Sequence, residues 1–596
     1  MEKSTDSELP IVNCHTHIFT GDHVPPWLAK TYLFWPAYLL LHLGFIVAII
    51  KSWIQISNIR YSDRNKRFQK LRLGVNFFLY RLGFLYQLIG WFFTIQAFFI
   101  VYDWLKTTIS PNNGIDAVES IRAFLIKHSI LHVGISPYID TTFVIFILFF
   151  FKWGRNFIVF LFKKFWNFLA FLPGKQTIEL LNRYLYIARF SSYKTETRVF
   201  GKLRDQYPSG TAFIVLPMDM EFMGAGKVKC QYLRQMVELA KIKRDHPQIF
   251  YPFVFVDPRR VAKENKASKE SKRPRLDKPF FDYDLDKNGK QVLKDCFVKK
   301  FIERRKFSGF KIYPALGYYP FDEQLLPVWK YAADNQLPIT SHCIRGTIFY
   351  RGRKQKAWNQ HSVFEQTFEG AVEPLALPQL ENEKFQLNFT HPLNYLCLLK
   401  EELLRRVVAK ASSETRQLFG YTDEKTPLKH DLAKLKLCLA HFGGDDQWKL
   451  FLERDRDNFS SELLEHPDRG IEFFVNRKTN QPIPGKIEQV WKFADWYSII
   501  CSLMLQYDNV YSDISYIVHN NDIQPLLKDT LRNKKLSERV LFGTDFYVVR
   551  NHKSERNMLV DCLAGLSDQE IDLIARKNPR TFLCNHVHGP LSMGFI

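Results

Sequence analysis

Over most of the chain, short apolar runs rich in β-formers alternate with stretches of helical periodicity. The strand-like runs are IVNCHTH (11–17), TAFIVLPMD (211–219), IFYPFVFVDP (249–258), SGFKIYP (308–314), LPITSHC (337–343), LKLCLAHFGG (435–444), NVYSDISY (509–516) and RVLFGTDFYV (539–548). Between several of them lie helical patterns such as YLRQMVELAKIKRDHP (232–247) and LLPVWKYAADNQ (325–336). The strand runs are nearly continuous in apolar residues, as expected of strands covered by helices. Repeated strand-then-helix units imply parallel strands, and eight of them fit an α/β fold closed as a (β/α)8 TIM barrel.

One block breaks this rhythm. YLFWPAYLLLHLGFIVAII (32–50), VNFFLYRLGFLYQLIGWFFTIQAFFIVYDWL (75–105) and TTFVIFILFFFKWGRNFIVFLF (141–162) are long, aromatic and poor in acid. Runs of this length suit a membrane better than the core of a soluble domain, the alternative reading. Arg81, Lys152 and Arg155 are costly at mid-bilayer unless they snorkel or face protein. The division expected is 1–26 for the first strand, 27–174 for a hydrophobic helical insertion, and 175–596 for the rest of the barrel.

Composition adds to this picture. The chain has 596 residues, a formal charge of +22, 53 Phe and 26 Tyr. Such a positive excess points to nucleic acid, an anionic membrane surface or acidic substrates. The aromatic residues concentrate in the greasy block, which favours the membrane, and no nucleic-acid partner is expected. Nine cysteines without a CxxC pair read as reduced thiols rather than a disulfide framework. No secretory signal peptide is read at the start, because the first apolar residues lead into a histidine pair.

The insertion leaves and re-enters one barrel, so full crossings must be even in number. KSWIQISNIRYSDRNKRFQKLR (51–72) is rich in Lys and Arg, whereas 106–140 is balanced. Counting positive charge puts 51–74 and the barrel in the cytoplasm. The expectation is that 75–105 and 141–162 span, while 32–50, with Pro36 and His42, is re-entrant or interfacial; a fully interfacial insertion is the alternative. Since the insertion follows strand one, it suggests a membrane-derived or amphipathic small-molecule substrate, unless it is only an anchor.

Active-site residues of such barrels come from the C-terminal ends of the strands. The first run ends in His15 and His17, which project to one face at i and i+2. The fifth ends in His342, the sixth in His441, and the eighth carries Asp545. Imidazoles and a carboxylate make a plausible zinc set with room for a water. Singly, each has a bland explanation as a satisfied polar or turn residue. Ligand-type residues at four of eight predicted strand ends are what carry the reading.

The set HTH, SHC after a Leu-Pro strand, AHFGG and LFGTDF resembles the amidohydrolase superfamily, within it the amidohydrolase-2 (amidohydrolase-related) metal-dependent hydrolases. IDLIARKNPRTFL resembles the final helix of that group. The resemblance covers about 1–20 and 205–584. It implies a divalent metal, zinc by preference, held by His15, His17 and His342, with Asp545 as ligand or general base. It also implies that His441 polarises the substrate or moves a proton. Some branches carry a carboxylated lysine on strand four; Lys311 lies on that run, and one metal is favoured here. His391 in FQLNFTHPLNY and Arg345 are candidate substrate contacts, with loop packing and a solvated surface as their alternatives. DYDLDKNGKQVLKD (282–295) mimics a calcium loop but reads as a charged turn.

The function expected is a membrane-associated metal-dependent hydrolase in which a metal-activated water attacks an amide, ester or related bond. The alternatives are a non-oxidative decarboxylase of the same fold and an inactive membrane scaffold or binding protein.

Overall fold

The computed structural model describes residues 9–25, 83–109, 116–133, 136–151, 193–270, 278–453 and 458–588, with isolated positions at 74, 154, 156–161, 164 and 190. Two compact units are present: 1–41 together with 183–596, and 42–182.

The first unit is a barrel. Its strands are β1 (Val12–Thr16), β2 (Ala212–Val215), β3 (Phe250–Phe255), β4 (Gly309–Ile312), β5 (Ile339–His342), β6 (Leu437–Ala440), β7 (Val510–Asp513) and β8 (Val540–Leu541). They form one eight-stranded sheet in sequence order, and every pairing along it is parallel. Each corresponds to one of the runs read from the sequence. The sheet closes on itself. Thr16 bridges Phe546 in parallel, the Cys14 amide donates to Phe542 O at 2.8 Å, and the Asp545 amide donates to His15 O at 2.9 Å. Closure removes the exposed edges that an open sheet would carry.

Val12, Cys14, Ile214, Phe253, Cys438 and Leu541 fill the barrel together with Phe582 and Leu583 of the last helix (Asn578–Leu583). The polar residues thus gather at the opposite, C-terminal end of the strands, where these barrels place their chemistry. Gly543 permits the closure: a Cβ there would lie 2.9 Å from His15 Cβ and 3.1 Å from Ser515 Cβ. In the LFGTDF motif the glycine is therefore a matter of space between β8 and β1.

A long excursion follows β5 and includes an antiparallel hairpin of Gln360–Phe368 and Ala371–Ala376. The calcium-loop mimic is a second hairpin, Tyr283–Leu285 with Gln291–Leu293. Asp286 there accepts from the Asn288 and Lys290 amides at 2.8 Å, while Lys294 pairs with Asp284 at 2.8 Å. It is the charged turn expected.

In the second unit, α1 (Gly83–Ile109) runs 27 residues, about 40 Å at the rise of an α-helix. Phe84, Trp91 and Phe98 on it are 75%, 68% and 54% exposed. Beyond it come α2 (Asp116–Lys127) and α3 (Pro137–Phe150). One end of α1 is tied to α2 by charge: Arg122 forks onto Asp103 at 2.7 and 3.0 Å, and Lys106 reaches Glu119 at 2.6 Å. At mid-helix, Gln96 donates to Ile130 O and accepts from the His132 amide, beside Phe99, Leu131 and Val133.

This corrects one expectation. The run 141–162 is not one continuous span: α3 ends at Phe150, and Phe151 is extended with φ −81° and ψ 142°. A Cβ on Gly154 would lie 2.7 Å from Leu148 Cα. Fourteen residues reach about 21 Å, short of the hydrocarbon thickness of about 30 Å. Among the described residues, α1 is the one helix long and apolar enough to cross a membrane. The expected segments 32–50 and 51–74 lie outside the described residues, Gly74 excepted, as do 75–82 of the second run.

Candidate metal centre

β1 supplies the first two side chains. Its register with β2 slips between Asn13 and Thr16, and such irregularities re-aim side chains beside active sites. The Asn13 side-chain oxygen accepts from the His15 amide at 3.2 Å. His17 donates Nδ1–H to Leu216 O at 2.8 Å, and its other ring nitrogen, Nε2, faces Asp545. That Nε2 lies 3.2 Å from Asp545 Oδ1, and His15 Nε2 lies 3.8 Å from the same oxygen. Ligand atoms of His15, His17 and Asp545 all fall within 4.8 Å of one another, and all three residues are buried.

His342 and His441 stand beside this group. His342 Nδ1 is 3.0 Å from His441 Nε2, and its ring stacks on Tyr313 at 3.8 Å between centroids. The His15 and His441 rings are 4.6 Å apart. The structure thus brings five sequence-predicted residues to one end of the barrel. His342 belongs to neither compact ligand group found among the described residues; the second such group is His15, His441 and Asp513.

Asp513 and Ser515 are the residues that sequence reasoning missed. Asp513 is buried at the end of β7 and accepts from every side. Oδ2 takes His15 Nδ1 at 2.9 Å and Oδ1 takes the amides of His441 at 3.0 Å and Ser515 at 3.1 Å. The same strand-end reasoning applied to NVYSDISY singles out Asp513. Ser515 carries no comparable signal.

Electrostatics follow from burial. His15, His342 and His441 are held well below the usual histidine range, chiefly because burial penalises the charged ring; Lys311 and neighbouring histidines add repulsion. Neutral imidazoles are the form that ligates a metal. Burial raises the Asp545 carboxyl, with His17 and Lys311 opposing it. Lys311, inside β4, is pushed down to about 8 by burial, while Asp513 and Asp545 pull it up. Its Nζ has no hydrogen-bond partner.

The fit to a cation is good. His15 Nε2 and His342 Nε2 are both buried without a hydrogen-bond partner, and unpartnered imidazole nitrogens beside a buried carboxylate are the donor set a divalent cation takes. Backbone strain concentrates here too. His441, Phe442, Tyr516 and Asp545 have φ of 67°, 46°, 63° and 63°, each costing about 1–3 kcal/mol and typical of functional sites.

The outer candidates fare differently. His391 is a correction: it stacks on Trp491 at 3.8 Å, accepts from the Leu393 amide at 3.3 Å and places Nε2 3.3 Å from Trp491 O. Both ring nitrogens are occupied by local backbone, so it is a packing residue. Asn394 likewise donates to the Asn388 and Phe389 carbonyls. Arg345 is half exposed and pairs with Glu383 at 2.8 Å.

No family model matches the chain, and no curated protein does. Solved structures similar in chain course include 5-carboxyvanillate decarboxylase from Sphingomonas paucimobilis, with 10% identity over 68% of this chain and 90% of that one, at a TM-score of 0.34. Another is 2,6-dihydroxybenzoate decarboxylase from Rhizobium, with 13% identity, 70% and 94% coverage and a TM-score of 0.32. A third is 5-carboxyvanillate decarboxylase from Novosphingobium aromaticivorans, complexed with manganese and 4-hydroxy-3-methoxy-5-nitrobenzoic acid, with 13% identity, 70% and 86% coverage and a TM-score of 0.32. At such scores the likeness does not discriminate between chemistries.

Proposed function

We propose that the chain is a membrane-associated, metal-dependent hydrolase of the amidohydrolase type. The observation that carries this reading is the convergence of His15, His17 and Asp545 ligand atoms within 4.8 Å at the C-terminal end of a closed barrel.

His15, His17 and Asp545 would hold a divalent cation, with His342 in reach through its unpartnered Nε2. When bound, the cation supplies Lewis acidity to water and to a substrate oxygen near neutral pH. The protein's own groups do the rest. Asp545, raised by burial, is suited to take a proton. His441 stands beside His15 with a buried, neutral ring whose lone pair can take a proton in turnover. Zinc suits this nitrogen-rich set, and manganese is the other metal to test.

Membrane attachment is supported by the exposed aromatic surface of α1 and by the charge of +22, which favours an anionic leaflet. The barrel is placed on the cytoplasmic side, and the substrate class proposed is a small amphipathic or membrane-derived molecule.

The deciding experiment is metal analysis of the purified full chain, followed by a panel of amides, esters, lactones and carboxylated arenes. Stoichiometric metal with hydrolytic turnover is expected. Release of carbon dioxide from the arenes would replace hydrolysis by non-oxidative decarboxylation. A metal-free, inactive wild type would leave a scaffold or binding protein. Fractionation and protease access test the attachment, and cleavage within 51–74 from outside intact cells would sink the cytoplasmic placement.

A further inference from the structure

Ser515 stands two positions past the end of β7, and its hydroxyl touches three buried groups at once. Its Oγ lies 3.1 Å from His15 Nδ1 and 2.9 Å from His441 Nδ1, and it is bonded to Asp513 Oδ1. A hydroxyl has one proton to give, and a carboxylate among donors only accepts. The proton therefore goes to Asp513, and Oγ is left as an acceptor toward both rings. His15 and His441 must then each carry hydrogen on Nδ1. Each has a second acceptor there, Asp513 Oδ2 at 2.9 Å for His15 and Ser515 O at 3.4 Å for His441.

In a neutral imidazole the other nitrogen keeps its lone pair. For His441 that atom is Nε2, 3.0 Å from His342 Nδ1. His342 must donate across this contact, so its own Nε2 is unprotonated. The chain of bonds thus ends on lone pairs at His15 Nε2 and His342 Nε2. Both atoms are buried and lack any hydrogen-bond partner. The opposite tautomers would bury an N–H at each of these places with nothing to accept it, which is unfavourable against a lone pair there.

We infer that Ser515 is a positioning residue: its single proton, given to Asp513, sets the tautomers of His441 and, through His441, of His342. His15 is set twice over, by Ser515 and by Asp513 directly. The two routes make different predictions for one substitution. In Ser515→Ala, His15 keeps its bond to Asp513 and its tautomer. His441 keeps only the long contact to Ser515 O, so it and His342 lose their fixed state. Only the consequence for a cation rests on the proposed metal centre; the tautomers themselves do not.

The test is long-range proton–nitrogen correlation NMR on the full chain, labelled at histidine nitrogens and stripped of metal, with rings assigned by single His→Gln variants. In the wild type, His15, His441 and His342 are expected with hydrogen on Nδ1. Ser515→Ala should leave His15 unchanged and convert His441 and His342 to mixed tautomers, and Ser515→Thr should restore them. An Nε2–H on wild-type His342, or a Ser515→Ala spectrum identical to wild type, overturns the inference. If Ser515→Ala does not fold, the wild-type tautomers and those of Ser515→Thr still decide it. Cobalt(II) titration of the same samples should then show at least about ten-fold weaker binding in Ser515→Ala, the size of effect usual for groups that orient ligands. Correct tautomers in a wild type that binds no cobalt would uphold the role of Ser515 and refute the metal centre.

Discussion

His15 and Asp513 are 498 residues apart in the chain and 2.9 Å apart in the fold, both fully buried. The bond joins the first barrel strand to the seventh. It fixes which nitrogen of His15 points toward Asp545, and Asp513 at the same time anchors the backbone amide of His441. One carboxylate therefore sets both sides of the site.

Asp513→Asn should weaken divalent-metal binding by about 10- to 100-fold. The amide presents a donor where the carboxylate met only donors, so His15 and the His441 turn lose their common anchor. Calorimetric titration with zinc or manganese measures the loss. An affinity equal to wild type would mean that Asp513 plays no part in orienting the ligands.

Replacing His15 and His17 together with Ala should abolish stoichiometric metal and lower turnover by at least about a thousand-fold, while the far-ultraviolet spectrum of the barrel persists. Metal analysis by mass spectrometry provides the readout. Retention of one metal per chain would place the cation elsewhere.

Gly543→Ala should damage the site without touching a ligand. The added methyl would sit 2.9 Å from His15 Cβ, so β1 and β8 must separate. A loss of about 1–3 kcal/mol of stability is expected, as for overpacking elsewhere, with weaker metal binding. Thermal melting with and without metal distinguishes this from a local effect.

Lys311→Met should raise the melting temperature by a few degrees at pH 7. The Lys311 ammonium is lowered from its ordinary value of 10.5 to about 8, so at neutral pH it stays charged at a cost of about 3 kcal/mol. That cost is present below pH 8 and is relieved as pH rises through 8 toward 10.5. A large loss of stability and of metal instead would indicate an engaged Nζ, such as a carbamate, which intact-mass measurement under mild conditions would detect.

The fold should weaken on mild acidification. His361 and His391 are buried beside Trp491 and lowered to about 4 and about 3 by burial. Unfolded histidines bind protons below about 6.5, so the unfolded state holds more protons between there and about 4. Stability contributed by the neutral rings is complete above pH 6.5 and falls as pH drops through that window. Melting curves from pH 7.5 to 4.5 should show the decline, and His391→Phe should flatten it while costing about 1 kcal/mol at neutral pH for the lost hydrogen bonds.

All eight strands were legible because each is an apolar run of β-formers that must be covered on both faces, a pattern written locally. His15, His17, His342, His441 and Asp545 were legible for a related reason: a polar residue ending such a run needs a partner or a task. His391 ends no strand run, and its neighbours in sequence do not reveal that it packs on the ring and faces the carbonyl of Trp491, 100 positions away. The run 141–162 reads as one apolar span by composition, yet the extended Phe151 and the close approach at Gly154 divide it.

By itself, then, the amino-acid order determined the repeated strand–helix rhythm, the greasy insertion after the first strand, and which residue types stand at the strand ends. Only the tertiary structure decided that Asp513 and Ser515 belong with them and which ring nitrogens remain free. Hydrophobic periodicity is a property of neighbours a few residues apart. Hydrogen-bond direction inside the barrel depends on atoms from β1, β5, β6, β7 and β8 meeting within about 3 Å, a distance that barrel closure alone sets.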